Sequence, residues 1–159
     1  MTKLAPGQRP DGITPSQTVG PFFAIGLCRE AQNEVVRGGD VRIAGRILDG
    51  AGDPIPDAVV EWWQRGEDAT QWGRCGTDGE GRFEFVTARP ADGVADVIVF
   101  ARGLLKHVVT RCYFPGATDG VLESLERAER ETLLAREEDG VLRWDVRLQG
   151  DEQTVFFAV

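Results

Sequence analysis

Basic residues are in short supply. The chain has 18 Lys and Arg against 26 Asp and Glu, a net charge of −8 at pH 7. That argues against a nucleic-acid partner, because phosphate binding needs clustered Lys and Arg. It disfavours adhesion to an anionic membrane for the same reason. Long hydrophobic runs are missing too, and none approaches the roughly 18 apolar residues of a spanning helix. The opening M-T-K-L-A-P-G-Q-R-P-D-G lacks the apolar core of a signal peptide, so a cytoplasmic location is expected. There is one His, His107, and one Tyr, Tyr113. A two-His metal site within a single chain is therefore excluded. A Ser-His-Asp triad would have to use His107, which lies in a strand-like pattern and reads as a satisfied strand histidine. Neither G-x-x-x-x-G-K-S/T nor G-x-G-x-x-G occurs, so no nucleotide-cradling loop is present. Cysteines are few and odd in number: Cys28, Cys75 and Cys112. No C-x-x-C pair supports a zinc or redox site. Cys112 reads as a buried thiol, and three free thiols suit a reducing compartment.

What is present is a 159-residue chain with 42% hydrophobic residues, enough for one domain with a real core. Residues 1–13 carry no periodicity and read as a flexible arm; 14–159 read as the single domain. Thr14-Pro15-Ser16-Gln17-Thr18-Val19-Gly20-Pro21-Phe22-Phe23 is kept extended by its prolines. The apolar tail Phe22 to Leu27 is expected to anchor this strap on a core. Strands are expected over Val41–Leu48, Ala58–Gln64, Arg82–Val86, Val97–Phe100, Val108–Phe114, Val141–Leu148 and Thr154–Val159. Trp62 and Trp63 should face opposite ways. Gly66 to Gln71 reads as loop, and Asp78-Gly79-Glu80-Gly81 as a hairpin turn. Asp119 to Glu137 is helix-like, with Asp119 as the N-cap candidate, giving one or two short helices near 119–136. The class that fits is all-β, a two-layer β-sandwich.

Candidate functional residues are sparse. Arg102 stands between two apolar runs and is followed by Gly103. Such a residue is either a solvated loop arginine or a cation that forks onto a carboxylate, and the bare pattern leaves both open. Glu61, in a strand before two tryptophans, is outward or inward.

Motifs narrow this further. G-R-I-L-D-G-A-G-D-P-I-P-D-A-V-V-E-W-W-Q, followed by G-R-C-G-T-D-G-E-G-R-F-E-F-V-T-A-R-P, resembles the signature of the intradiol ring-cleavage dioxygenases. T-P-S-Q-T-V-G-P-F, F-A-R-G, T-R-C-Y-F, E-T-L-L-A, R-L-Q-G and E-Q-T-V-F-F look, in that order, like the α subunits of the members that cleave protocatechuate. The resemblance implies a sandwich of the prealbumin-like type and an obligate hetero-oligomer with a β subunit. That partner would hold Fe(III) through two Tyr and two His, and the substrates would be protocatechuate and O2. In register with F-A-R-G, Val94 and Asp96 stand where the family's H-x-H pair would be. Ala91, Asp92 and Gly93 stand where a Tyr ligand would follow. Tyr113 matches a strand residue that is not a ligand. The resemblance therefore implies no metal ligand and no catalytic residue in this chain. It implies a contribution to the partner's substrate pocket from Thr18, Gly20, Pro21, Phe22 and Arg102, with Phe22 replacing a frequent Tyr. The alternative is a free-standing β-sandwich interaction domain without catalytic activity.

Overall fold

The computed structural model describes residues 14–158. The arm expected over 1–13, and Val159, lie outside them.

Alternating and β-branched runs build two stacked sheets. The first contains β1 (Val41–Leu48), β4 (Arg82–Thr87), β7 (Arg136–Glu138), β8 (Val141–Arg143) and β9 (Val146–Arg147). Its order is β4-β1-β8-β7, and β9 continues along β1. The second runs β3 (Thr70–Gly76), β2 (Val59–Arg65), β5 (Val94–Phe100), β6 (Val108–Tyr113). Side chains pointing between the sheets make the core, among them Ile43, Ile47, Val60, Trp62, Phe83, Phe85, Val97, Phe114 and Trp144. Trp62 is fully buried, whereas Trp63 on the other face is 37% exposed, as period-2 geometry requires. The Trp62 indole donates to Gln64 Oε1 at 2.7 Å, and the Thr87 hydroxyl donates to the same oxygen at 2.8 Å. The buried polar groups of Trp62, Gln64 and Thr87 thus satisfy one another. Among the described residues no helix is long and apolar enough to cross a membrane.

Several elements depart from the sequence expectation. β3 overlaps the expected loop and extends beyond it. T-Q-W-G-R-C-G has no apolar alternation and is recruited as an edge strand by pairing with β2. The Asp78–Gly81 turn forms, with Gly81 N–H donating to Asp78 O at 2.9 Å. It closes no two-stranded ladder, because β3 pairs with β2 and β4 with β1; it carries the chain between layers. The helical segment splits into α2 (Gly120–Ser124) and α3 (Arg127–Glu131). Leu125 is extended, and a capping box from Glu126 and Glu129 restarts the helix. The chain then turns extended as β7. Asp119 is the cap predicted, accepting the Leu122 N–H at 2.8 Å.

The expected strand Val141–Leu148 breaks at Trp144 and Asp145. The Trp144 carbonyl presses on Gly45, where a Cβ would collide with it. Asp145 Oδ1 accepts the Arg46 N–H at 2.8 Å in place of a ladder bond. Thr154 to Ala158 forms only an isolated bridge, Val109 to Phe157, along β6. His107 lies in the exposed β5–β6 loop, its ring tilted against Phe100 with centroids 5.4 Å apart, and not within a strand.

A candidate partner-facing site

The site begins where β5 ends. Antiparallel pairing sets Val59 opposite Phe100. Two residues beyond that pair, Asp57 and Arg102 face each other. Arg102 Nε lies 2.8 Å from Asp57 Oδ2. The Arg102 side chain is 52% exposed. Gly103 has φ +89, the left-handed region that glycine adopts without strain, and it turns the chain into the loop. Its N–H donates to the Thr18 hydroxyl at 2.8 Å. The strap is thereby tied to the loop that carries Arg102.

Beyond Thr18, Gly20 O accepts the Phe23 N–H at 3.3 Å. This turn, with Pro21 inside it, opens α1 (Phe23–Leu27). α1 buries none of its residues, so the expected anchoring of Phe22 to Leu27 in a core does not occur. Phe22 is 75% exposed and Ile25 77%. The strap is held by polar bonds instead. Arg74 Nη1 donates to Leu27 O at 3.0 Å while its Nε donates to Glu61 Oε1 at 2.9 Å. Glu61 lies on the outer face of the second sheet, opposite Arg74, and is nonetheless buried. The carboxylate is covered because it is paired. Of the five sequence-predicted residues, the structure joins Thr18 and Arg102 through Gly103. Gly20, Pro21 and Phe22 continue the strap, and among the described residues no hydrogen bond or ion pair links them to Arg102. Asp57 was not among the five. The only signal for it was the β2–β5 register.

At the far end of β5 and β6, on the same outer face, lies a cleft of about 360 Å³. Val94, Asp96, Arg111 and Asp119 line it, with Tyr113 beside it on β6. These include the positions that the family resemblance assigns to iron ligands. Arg111 Nε donates to Asp96 Oδ1 at 3.0 Å, and its Nη1 to Asp119 Oδ2 at 3.1 Å. The Tyr113 hydroxyl donates to Asp119 Oδ1 at 3.0 Å. Asp92 Oδ1 accepts the Val94 N–H at 3.1 Å. Burial pushes the Tyr113 phenol up, and hydrogen bonding to Asp119 adds to that against the lowering pull of Arg111. A phenol that resists ionisation, a valine, and carboxylates already held by a guanidinium do not fit a ferric ion. Burial acts to raise Asp119 as well, but the Leu122 N–H, the Tyr113 hydroxyl and Arg111 outweigh it and hold its carboxyl below the ordinary range. Among the described residues no group of three or more His, Cys, Asp or Glu is disposed to hold a metal.

No family model matches the sequence. Individual proteins do. The chain is 34% identical to the protocatechuate 3,4-dioxygenase alpha chain of Burkholderia cepacia, over 92% of this chain and 97% of that protein. It is 34% identical to the alpha chain of Pseudomonas putida, over 91% and 95%. The protocatechuate 3,4-dioxygenase beta chain of B. cepacia is 28% identical over 87% of this chain and 77% of that one. Among solved structures, the dioxygenase domain of a carbohydrate-binding fusion from Streptomyces sp. SirexAA-E superposes with TM-score 0.54 at 19% identity. It covers 94% of this chain and 97% of that one. Catechol 1,2-dioxygenase of Pseudomonas arvilla C-1 gives 0.54 at 20%, over 69% and 52%. These two establish the sandwich fold. The alpha-chain likeness runs nearly end to end, and on that ground the chain belongs to the protocatechuate 3,4-dioxygenase alpha-chain family.

Proposed function

We propose that this chain is the non-iron α subunit of a protocatechuate 3,4-dioxygenase, working in the cytoplasm in an obligate complex with an iron-binding β subunit. The complex would insert both atoms of O2 between the two hydroxylated carbons of protocatechuate, giving 3-carboxy-cis,cis-muconate. The observation that carries this reading is the near-full-length similarity to alpha chains, together with the likeness to a beta chain. Fe(III), held by the β subunit, supplies the activation of the catecholic substrate toward O2.

This chain's own residues bind and orient. Thr18, Gly20, Pro21, Phe22 and Arg102 form its contribution to the partner's pocket. Arg102 presents unspent guanidinium donors, which suit the carboxylate of an incoming aromatic acid. Phe22 offers an apolar wall and no hydroxyl. The exposed Phe22 and Ile25, with Leu105 at 64% exposure on the loop, supply apolar surface of the kind that obligate interfaces cover. Residues 14–159 act as one domain in this reading.

The test is expression of the chain alone and together with a β chain. Alone it should self-associate or aggregate, bind no iron and show no tyrosinate-to-iron colour. Together they should co-purify as a coloured, active complex. Near-stoichiometric iron in the isolated chain, or a stable monomer that ignores the β chain, would overturn the proposal.

A further inference from the structure

We infer that Asp57 is a positioning residue for substrate recognition, acting through Arg102; this rests on the pocket role proposed above for Arg102. Three features of the structure support it. First, the contact is made by Nε, at 2.8 Å from Asp57 Oδ2. This ionic contact holds the guanidinium from its Nε side, and among the described residues its two terminal nitrogens have no ionic partner. Those nitrogens are the pair that grips a carboxylate side by side. Second, Asp57 holds a conformation that side chains rarely adopt, with φ 61. Its neighbour Ala58 is fully buried at the start of the β2 core run, so the backbone at 57 has little freedom to relax. Its second oxygen, Oδ1, is buried and, among the described residues, meets no donor. A strained backbone and an unmet acceptor both cost stability. Third, the other side of the loop is fixed as well, by the Gly103 N–H on Thr18. Arg102 is thus clamped from two directions, by the strap and by the turn before β2. Orientation set before binding raises affinity without adding a contact. Anchoring outweighs the charge that Asp57 cancels, because a freed arginine must be ordered again at each binding event.

The experiment compares variants of the co-purified complex on protocatechuate and on catechol, which lacks the carboxylate. Asp57→Gly removes the carboxylate and suits the positive φ, so misfolding does not obscure the result. It should raise KM for protocatechuate about tenfold, below the hundredfold that ~1 Å of misplacement can cost. Its kcat, and both constants on catechol, should stay within about twofold. Asp57→Asn tolerates the left-handed backbone and keeps an oxygen beside Nε without the charge, so it should recover part of the loss. Asp57→Gly combined with Arg102→Ala should be no worse than Arg102→Ala alone, since Asp57 acts only through that arginine. An unchanged or lowered KM in Asp57→Gly, with Arg102→Ala still selectively impaired on protocatechuate, overturns the role of Asp57 alone. Equal effects of Arg102→Ala on both substrates remove the role of Arg102 and that of Asp57 with it.

Discussion

Arg102 and Arg111 stand at opposite ends of the β5–β6 hairpin and meet carboxylates in opposite ways. Arg111 is spent. It bridges Asp96 and Asp119, its side chain is only 30% exposed, and its guanidinium lies 5.8 Å from the Phe157 ring. Among the described residues Arg102 has a single ionic contact, and it is half exposed. One chemical group therefore serves two purposes. At Arg111 it ties up the carboxylates of a cleft. At Arg102, in the function proposed above, it offers donors to a group outside the chain. The number of unsatisfied donors is the difference between them, since both belong to the same β5–β6 hairpin.

The sharpest way to break the comparison is Arg102→Ala in the assembled complex. A hydrogen bond to a charged group contributes about 1.5–3 kcal/mol, so kcat/KM on protocatechuate should fall roughly 10- to 150-fold. Catechol should be affected far less, and iron content should not move. Arg102→Lys should restore only part, because an ammonium lacks the planar fork. Steady-state kinetics on the two substrates decide it. A loss of similar size on both would make Arg102 a structural residue like Arg111.

Arg111→Ala should act on stability. Two charge-assisted bonds, discounted for partial exposure, suggest a loss of about 1–2 kcal/mol. For a chain of this length that lowers Tm by very roughly 2–8 °C. Differential scanning of the complex measures it, and substrate selectivity should be unchanged.

The pH dependence follows from Asp119. Its carboxyl is held below the ordinary range in the fold. The stabilisation is therefore complete above the unfolded value and is lost as pH falls through roughly 4 and below. Asp119→Asn keeps a good helix cap but removes the charge. Its acid-unfolding limb should be flatter than that of the parent, as followed by tryptophan fluorescence. A parallel limb would mean that other carboxylates set the acid sensitivity. The smallest effect is expected at Arg42→Ala. Its pair with Glu84 is well exposed on both sides, so the change should stay within about 0.5 kcal/mol.

The class and most of the strands were legible in the sequence, because buried strands carry apolar alternation and turns carry Gly and Asp. What was not legible was set by partners distant in sequence. β3 has no pattern of its own and exists because β2 offers an edge. The Val141–Leu148 alternation is real, with Leu142, Trp144 and Val146 buried, yet the ladder breaks where Trp144 meets Gly45. Glu61 could be read as outward or inward; it lies on the outer face, and burial came with the strap and Arg74. At the site, motif likeness pointed to Thr18 and Arg102, whereas Asp57 needed the β2–β5 register. Apolar composition alone gave the wrong sign for α1, none of whose residues is buried in the core.

The join between β1 and the segment from β8 to β9 has a consequence in time. Arg46 and Asp145, which bridge the broken strand, are 99 residues apart in the chain. At ~5–20 residues per second of synthesis, β1 waits about 5–20 s on the ribosome before its parallel neighbour emerges. Through that interval one edge of β1 offers unpaired backbone groups, a template for another nascent chain. Parallel pairing at such separation is also slow in itself. Closure of the first sheet should therefore be the late step in maturation. A chain cut short before Val141 would lack both β8 and β9, keep that edge of β1 exposed and be drawn toward aggregation, even with the whole second sheet already made.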